Sequence, residues 1–314
     1  MNDRAALVAK AHMSIKRGSK SFAAASRLFD RTTRERVWLL YAWCRACDDM
    51  ADAQEMGGAL GDQSGVAERV ATIRDLTARA LAGETTGEPA FDALGLLSRE
   101  VLITNAMAED VLAGFDLDVM GLQPRCNEDL LRYCYHVAGA VGVMMAAVMG
   151  VPPGYEDTLD RACDLGLAFQ LANIARDVAE DDAGGRCYLP ADWLEQAEIP
   201  PGEVMNPLYR QALLPLVARL CDMAEQYEAS ARIGAARLPF RQRWAVLSAA
   251  GIYGAIARKV RASGGQALDH RVHTSGVAKS GFVLRALADC MMVPRQSARP
   301  ALSRRELAEI SRVN

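Results

Sequence analysis

Strand-like alternation is nearly absent from this 314-residue chain. No sustained stretch trades apolar for polar at every second position, which argues against folds built on half-buried strands. Aromatics make up only 6% and prolines number 12, and long stretches run without Gly or Pro. Histidine is scarce too: His12, His136, His270 and His273 are the whole set, and none stands in a Glu-x-x-His pair. A di-iron bundle therefore lacks its ligands. No run of about 18 uncharged apolar residues occurs. The nearest, "VAGAVGVMMAAVMGV" (137–151), is short for a membrane span and reads as a buried helix. The first twenty residues carry charges throughout and do not form a secretory signal. A formal net charge of -3 with 24% charged residues excludes both a disordered polyelectrolyte and a nucleic-acid binder by bulk charge. Eight cysteines are scattered, and Cys44 and Cys47 form a lone CxxC without a second pair, so packing is their expected role. A reduced, cytoplasmic protein is expected.

What the chain does have is apolar residues at 51%, rich in Ala and Leu, which lose little on entering a helix. Helical periodicity recurs over 4–15, 19–28, 31–54, 64–82, 90–104, 106–119, 127–150, 156–182, 206–234, 240–263 and 276–292. Loops at 55–65, 150–157 and 198–203 carry Gly and Pro punctuation. Thr33 and Asn127 read as helix starts. The expectation is one all-α domain over 1–293, a single helical bundle, followed by a polar, frayed tail over 294–314.

Two acidic stripes break the apolar pattern. In "YAWCRACDDMAD", Tyr41, Arg45, Asp48 and Asp52 are spaced 4, 3 and 4, on one face of a helix. In "QLANIARDVAEDD", Gln170, Asn173, Asp177 and Asp181 are spaced 3, 4 and 4, with Arg176 adjacent. Asp49 points about 100° away from Asp48. Carboxylates on apolar helices repel one another unless compensated. A hard cation such as Mg²⁺, held by one or two carboxylates, waters and phosphate oxygens, supplies that compensation. Each stripe alone also fits a solvated helix end. Together they point to a metal–diphosphate site between helices.

Arg271 and Lys279 lie in a Gly/Ser-rich stretch suited to clamping phosphate oxygens. Arg258 and Arg261 read as a solvated helix end. Ser19 and Ser21 are hydroxyl donors or helix caps. The small and flexible residues of "YCYHVAGAVGVMMAAVMG", including Val137 and Gly142, suit either a hydrocarbon cavity wall or tight helix packing.

With "SKSF" (19–22), "YAWCRACDDMAD" (41–52), "YCYHVAGAVG" (133–142), "QLANIARDVAEDDAGGRCYLP" (170–190) and "YGAIARKV" (253–260) in order, the chain resembles the head-to-head isoprenoid synthases over roughly 15–290. This is the family of squalene, dehydrosqualene and phytoene synthases, and the likeness is strongest to the bacterial phytoene synthases. It implies an isoprenoid synthase fold around a central apolar cavity. Asp48, Asp52, Asn173, Asp177 and Asp181 would bind Mg²⁺, with Mn²⁺ a possible substitute. Arg45, Gln170, Asn173 and Arg271 would meet substrate phosphates or their metal shell, and Phe22, Tyr41, Tyr253 and the 137–145 wall would line the prenyl pocket. The implied reaction joins two geranylgeranyl diphosphates into phytoene through prephytoene diphosphate, without NADPH. The role of the extra acid Asp182 is left open. The resemblance also implies ATP stimulation, peripheral association with a membrane that receives the product, and contact with other carotenoid-pathway enzymes.

Three alternatives compete. A dehydrosqualene- or squalene-type synthase would take farnesyl diphosphate instead. A head-to-tail elongase is disfavoured, because Asp52 is followed by "AQEMGGALG" where "DDxxDxxxxRRG" would be expected. A non-catalytic helical scaffold would have no use for charges in a core.

Overall fold

The computed structural model describes residues 4–55, 61–62, 64–294, 297–300 and 302–310, without the side chains of 20, 21 and 310. No strand occurs among them. In chain order the helices are α1 (Arg4–Gly18), α2 (Lys20–Ser26), α3 (Arg31–Ala51), α4 (Val66–Leu81), α5 (Pro89–Glu100), α6 (Asn105–Val119), α7 (Asn127–Cys134) and α8 (Ala140–Val148). They continue with α9 (Glu156–Ala183), α10 (Ala191–Gln196), α11 (Arg210–Ala235), α12 (Phe240–Ser263), α13 (Gln266–Asp269), α14 (Gly276–Asp289) and α15 (Arg304–Ile310). The short helices α10 and α13 were not expected. Each has six residues or fewer, too few to show a helical period. The 55–65 loop lies largely outside the described residues.

Helix α9 is the central post. It packs against α8, α11 and α12 and against the turn before α8. Leu167, Leu171, Ala172, Ile174 and Ala175 are buried there. Helix α3 packs on α1, α4 and α5, and buries Leu39, Trp43 and Cys47 on that side. Its polar stripe is left on the opposite side. The cap of α3 is Asp30, one turn earlier than Thr33: its carboxylate accepts from Thr33 N at 3.0 Å and from Thr33 Oγ1 at 2.7 Å. Asn127 is the first residue of α7 rather than its cap, which is Cys126. All eight cysteines are free.

The 127–148 stretch is apolar enough to cross a membrane by composition, with mean hydropathy 1.3, but 67% of that window is buried in the bundle. It is a core helix, interrupted by a π turn at Tyr135–Gly139. Tyr135 Oη donates to Asp110 Oδ2 at 2.7 Å, and the next residue, His136, holds Asp110 O through Nδ1 at 2.6 Å. Two consecutive residues are thus anchored to one partner at the looser turn. The same segment approaches α9 closely. A Cβ at Gly166 would sit 2.2 Å from Ala138 O, and one at Gly142 would sit 2.4 Å from Ala162 O. Gly166→Ala should therefore cost about 1–3 kcal/mol despite the better helix propensity of Ala. Urea denaturation measures this, and a stabilised variant would contradict the close approach.

The described part of the C-terminal tail, 297–300 and 302–310, does not hang free. Leu307 of α15 is fully buried, and Arg299 and Arg304 pair with Asp160, Asp164 and Glu156 on α9. The expected fraying is overturned because the arginines of this polar segment meet a cluster of acids at the start of α9.

Candidate active site

A cavity of about 860 Å³ runs through the bundle between α3, α8, α9, α11 and α12. Tyr41, Arg45, Asp48 and Asp52 border it from α3, as the 4-3-4 spacing predicts. Asp52 is the C-cap of α3, held on the same face by its backbone N–H to Asp48 O at 3.0 Å. Gln170 and Asn173 border it from α9, and Val137 and Gly142 from the opposite wall. Val137, Ala138, Val141, Gly142, Met145 and Met149 form that wall, so this segment serves both as cavity lining and, through Gly142, as tight packing.

The electrostatics are those of a site short of positive charge. Burial pushes Asp48 up to about 7, with Asp52, Asp49 and Asp118 adding repulsion against the pull of Arg45. Arg45 Nη1 lies 3.7 Å from Asp48 Oδ2 and 3.7 Å from Asp49 Oδ1, beyond hydrogen-bond range. Burial also pushes Asp181 up to about 7, reinforced by Asp177, and raises Asp52. Tyr41 Oη and Arg45 Nε are buried without a hydrogen-bond partner among the described residues. Gly18 passes so close above them that a Cβ there would stand 2.5 Å from the Tyr41 hydroxyl. Buried polar atoms left unpaired cost free energy unless a ligand completes them.

This donor set fits a hard divalent cation. Asp48, Asp52 and Asn173 offer oxygen to the cavity, and burial raises both carboxyls; Asp181, whose carboxyl is raised as well, is not among the cavity-lining residues. No three His, Cys, Asp or Glu among the described residues form a ready-made cage. A cation here would complete its shell from water and ligand oxygens, which is the usual habit of Mg²⁺.

Other expected residues are placed differently. Asp177 does not face the cavity. Arg176 grips its carboxylate, with Nε 2.6 Å from Oδ1, and Arg271 adds contacts at 3.0 and 3.1 Å. Arg176 and Arg271 are thus not free phosphate clamps: each neutralises Asp177, and Arg271 also stands 3.3 Å from Glu180. Ser19 is a helix cap, accepting from Phe22 N at 3.3 Å, and is not among the cavity-lining residues. The Ser21 side chain lies outside the described residues. Lys279 stands in the first turn of α14 and does not line the cavity.

Several cavity residues were not anticipated. Phe169 stacks on Tyr253 at 4.2 Å, and Phe22 meets Tyr253 at 5.6 Å and Tyr41 at 6.2 Å. These four rings form an aromatic wall beside the polar end. Asp118, Tyr133 and Arg186 close the other side. Burial raises Asp118 to about 6, moderated by Arg186. Tyr188 Oη donates to Asp118 Oδ1 at 3.4 Å and its ring stacks on Tyr133 at 4.6 Å. Arg186 reaches the site because α9 ends in a turn with Gly185 at φ 72°, a conformation natural for glycine. Its Gly-Gly turn was visible in the sequence. Asp118 carried no distinguishing signal.

The raised carboxyls imply a pH signature. Folded Asp48 and Asp181 keep protons up to about 7 that the unfolded chain releases near 3.8. Stability of the metal-free protein should therefore fall as pH climbs from about 4 to about 7. Asp48→Asn removes one of these groups, so its stability relative to wild type should improve across that window and level off above it. Urea titrations at several pH values measure the difference; a pH-independent difference would contradict the assignment.

Comparison with known proteins agrees with this geometry. The squalene/phytoene synthase family model matches residues 15–278. The chain is 48% identical over 271 residues to a phytoene synthase of Pseudescherichia vulneris, covering 86% of this chain and 87% of that one. It is 46% identical over 285 residues to a 15-cis-phytoene synthase of Pantoea ananas, covering 90% and 91%. Among solved structures, a ligand-bound dehydrosqualene synthase superposes with TM-score 0.80 at 26% identity, covering 91% and 96%. A squalene synthase from Alicyclobacillus acidocaldarius shares the fold, with TM-score 0.72 at 22% identity, covering 83% and 95%. The helical bundle is thus the isoprenoid synthase fold, and the chain belongs to the squalene/phytoene synthase family.

Proposed function

We propose that this chain condenses two geranylgeranyl diphosphates head to head into phytoene, releasing both diphosphates, in carotenoid biosynthesis. The observation that carries this reading is one apolar, aromatic-walled cavity with carboxylates, amides and arginine gathered at one end. The phytoene synthases at 46 and 48% identity support the C20 substrate over the C15 alternative.

Asp48, Asp52 and Asn173 line the cavity and are the residues to hold Mg²⁺ (or Mn²⁺), joined from α9 by Asp181 and, once Arg176 and Arg271 turn from it to the phosphates, by Asp177. Bound there, Mg²⁺ would neutralise diphosphate charge and make it a better leaving group. Arg45, Tyr41 Oη, Gln170 and Arg186 meet phosphate oxygens. As the first C–O bond breaks, the allylic cation lies against Phe22, Tyr41, Phe169 and Tyr253, whose ring faces attract positive charge. The apolar walls exclude water that would quench it.

The 2,3-double bond of the second substrate then attacks. Loss of a proton closes the cyclopropane of prephytoene diphosphate. A second ionisation, a rearrangement and another proton loss yield phytoene, with no reductant consumed. Released diphosphate or a nearby tyrosine accepts the proton. The reaction takes place in the cytoplasm, and its hydrocarbon product passes to a membrane.

Purified protein with Mg²⁺, without NADPH, offered geranylgeranyl or farnesyl diphosphate, tests the reading. The expected result is a C40 hydrocarbon from the C20 substrate. Hydrocarbon from the C15 substrate alone would move the assignment to a dehydrosqualene-type enzyme, and no product from either would leave a scaffold.

A further inference from the structure

The end of the cavity remote from the carboxylates is bordered by a buried charge. On α9 the lining runs from Asn173 to Arg161 and Thr158. Twelve residues of helix separate Asn173 from Arg161, about 18 Å along the axis. Arg161 is 6% exposed. Its stem crosses to α11 over Gly234, where an added Cβ would stand 2.6 Å from Arg161 Cβ. Its head is held at every nitrogen: Nε donates to Asp157 Oδ2 at 3.0 Å, and Nη1 to Ser230 Oγ at 3.0 Å and Ser230 O at 3.3 Å. Nη2 donates to Ser297 O at 3.4 Å.

A buried guanidinium is a costly way to fill space beside an apolar cavity, where leucine would pack more cheaply. Nor do its acidic neighbours depend on it. Asp157 also pairs with Arg237 at 2.5 Å, and Ser230 Oγ donates to Asp164 at 2.5 Å. What Arg161 adds is a long stem pinned at its far end, so that it cannot swing aside as a free apolar side chain could. A prenyl tail growing past this point would also have to displace a hydrogen-bonded cation.

The geometry points to Arg161 as a specificity-determining residue that ends the hydrocarbon channel and sets the longest prenyl diphosphate accepted. This rests on the prenyl-diphosphate reading above. Discrimination by one methylene in an apolar pocket is about 10–200-fold, and a whole isoprene unit is larger than that.

The test is kcat/KM for the C15, C20 and C25 diphosphates, each offered alone to wild type, Arg161→Ala and Arg161→Lys, with melting temperature and helicity recorded. Arg161→Ala should raise the C25:C20 ratio at least ~10-fold. Arg161→Lys, which keeps a long cationic stem, should return the ratio toward wild type. A folded Arg161→Ala with an unchanged ratio overturns the proposal. Should that variant fail to fold, Arg161→Met stands in. It keeps an unbranched stem of similar length but loses the hydrogen bonds that pin its end, so it should also raise the C25:C20 ratio, and an unchanged ratio there overturns the proposal equally. Wild type inactive on all three chain lengths would instead overturn the prenyl-diphosphate reading itself.

Discussion

Asp48→Asn should lower kcat by about 10²–10³ while leaving the melting temperature unchanged or higher. The two effects have opposite sign for one reason. Asp48 sits among Asp49, Asp52 and Asp118, its pKa is pushed up to about 7, and its nearest cation is 3.7 Å away. Its negative charge is therefore poorly compensated in the ligand-free protein. Asparagine keeps the shape and removes the charge, so the free protein gains. On the proposed role, a metal–diphosphate complex would lose an anionic ligand, so the reaction should suffer. A residue retained for packing would lose stability and activity together. Asp49 is the internal control: it is not among the cavity-lining residues, although it shares Arg45 with Asp48. Asp49→Asn should cost less than ~10-fold, short of the loss expected when an electrostatic contact to the reacting charge is removed. Steady-state kinetics at saturating Mg²⁺ with matched thermal melts decide the matter. An Asp48→Asn enzyme retaining a tenth or more of wild-type kcat would place the metal–diphosphate site elsewhere.

The stripe on α3 was legible because a helix fixes the geometry of its own residues. Tyr41, Arg45, Asp48 and Asp52 share a face by spacing alone, and all four border the cavity. Gln170 and Asn173 follow the same logic on α9. Long-range partners were not legible in this way. Asp118 closes α6, Tyr133 lies on α7 and Tyr188 follows α9, and each looks like an ordinary helix or loop residue until the bundle brings them together.

Asp177 shows a second kind of failure. Its spacing predicted a metal ligand facing Asp48, but long arginine side chains reach it from the adjacent position and from 94 residues away. Sequence neighbours on a helix do not usually face each other, so the Arg176 pair breaks the rule that located the stripe. The π turn is a third case. The periodicity of 127–150 is continuous, and it took the shared anchor at Asp110 to reveal the extra residue.

The tail was misread for a physical reason that also sets the second large effect. A segment rich in Arg, Ser and Pro has too little apolar surface to seat itself, so composition alone predicts fraying. Composition does not show that Glu156, Asp160 and Asp164 occupy one face at the start of α9. Arg299 Nη2 lies 2.6 Å from Asp164 Oδ1 and its Nε 2.9 Å from Oδ2, and Arg304 Nη1 lies 2.7 Å from Asp160. Asp164 is 0% exposed, and besides Arg299 its hydrogen-bond partner is Ser230 Oγ at 2.5 Å.

Arg299→Ala therefore leaves a buried carboxylate without its cation, a loss of about 3–5 kcal/mol. The Leu307 side chain, worth about 1.5–3 kcal/mol when buried, cannot hold α15 in place against that. The variant should show a large drop in urea stability and rapid proteolytic trimming of the C-terminal segment. Adding Asp164→Asn removes the stranded charge, so the double variant should recover much of the loss. Coupling of that size is the signature of a direct pair. An Arg299→Ala protein within ~1 kcal/mol of wild type, or a double variant no better than the single, would mean that the tail adds little to the fold and that α9 holds Asp164 by itself.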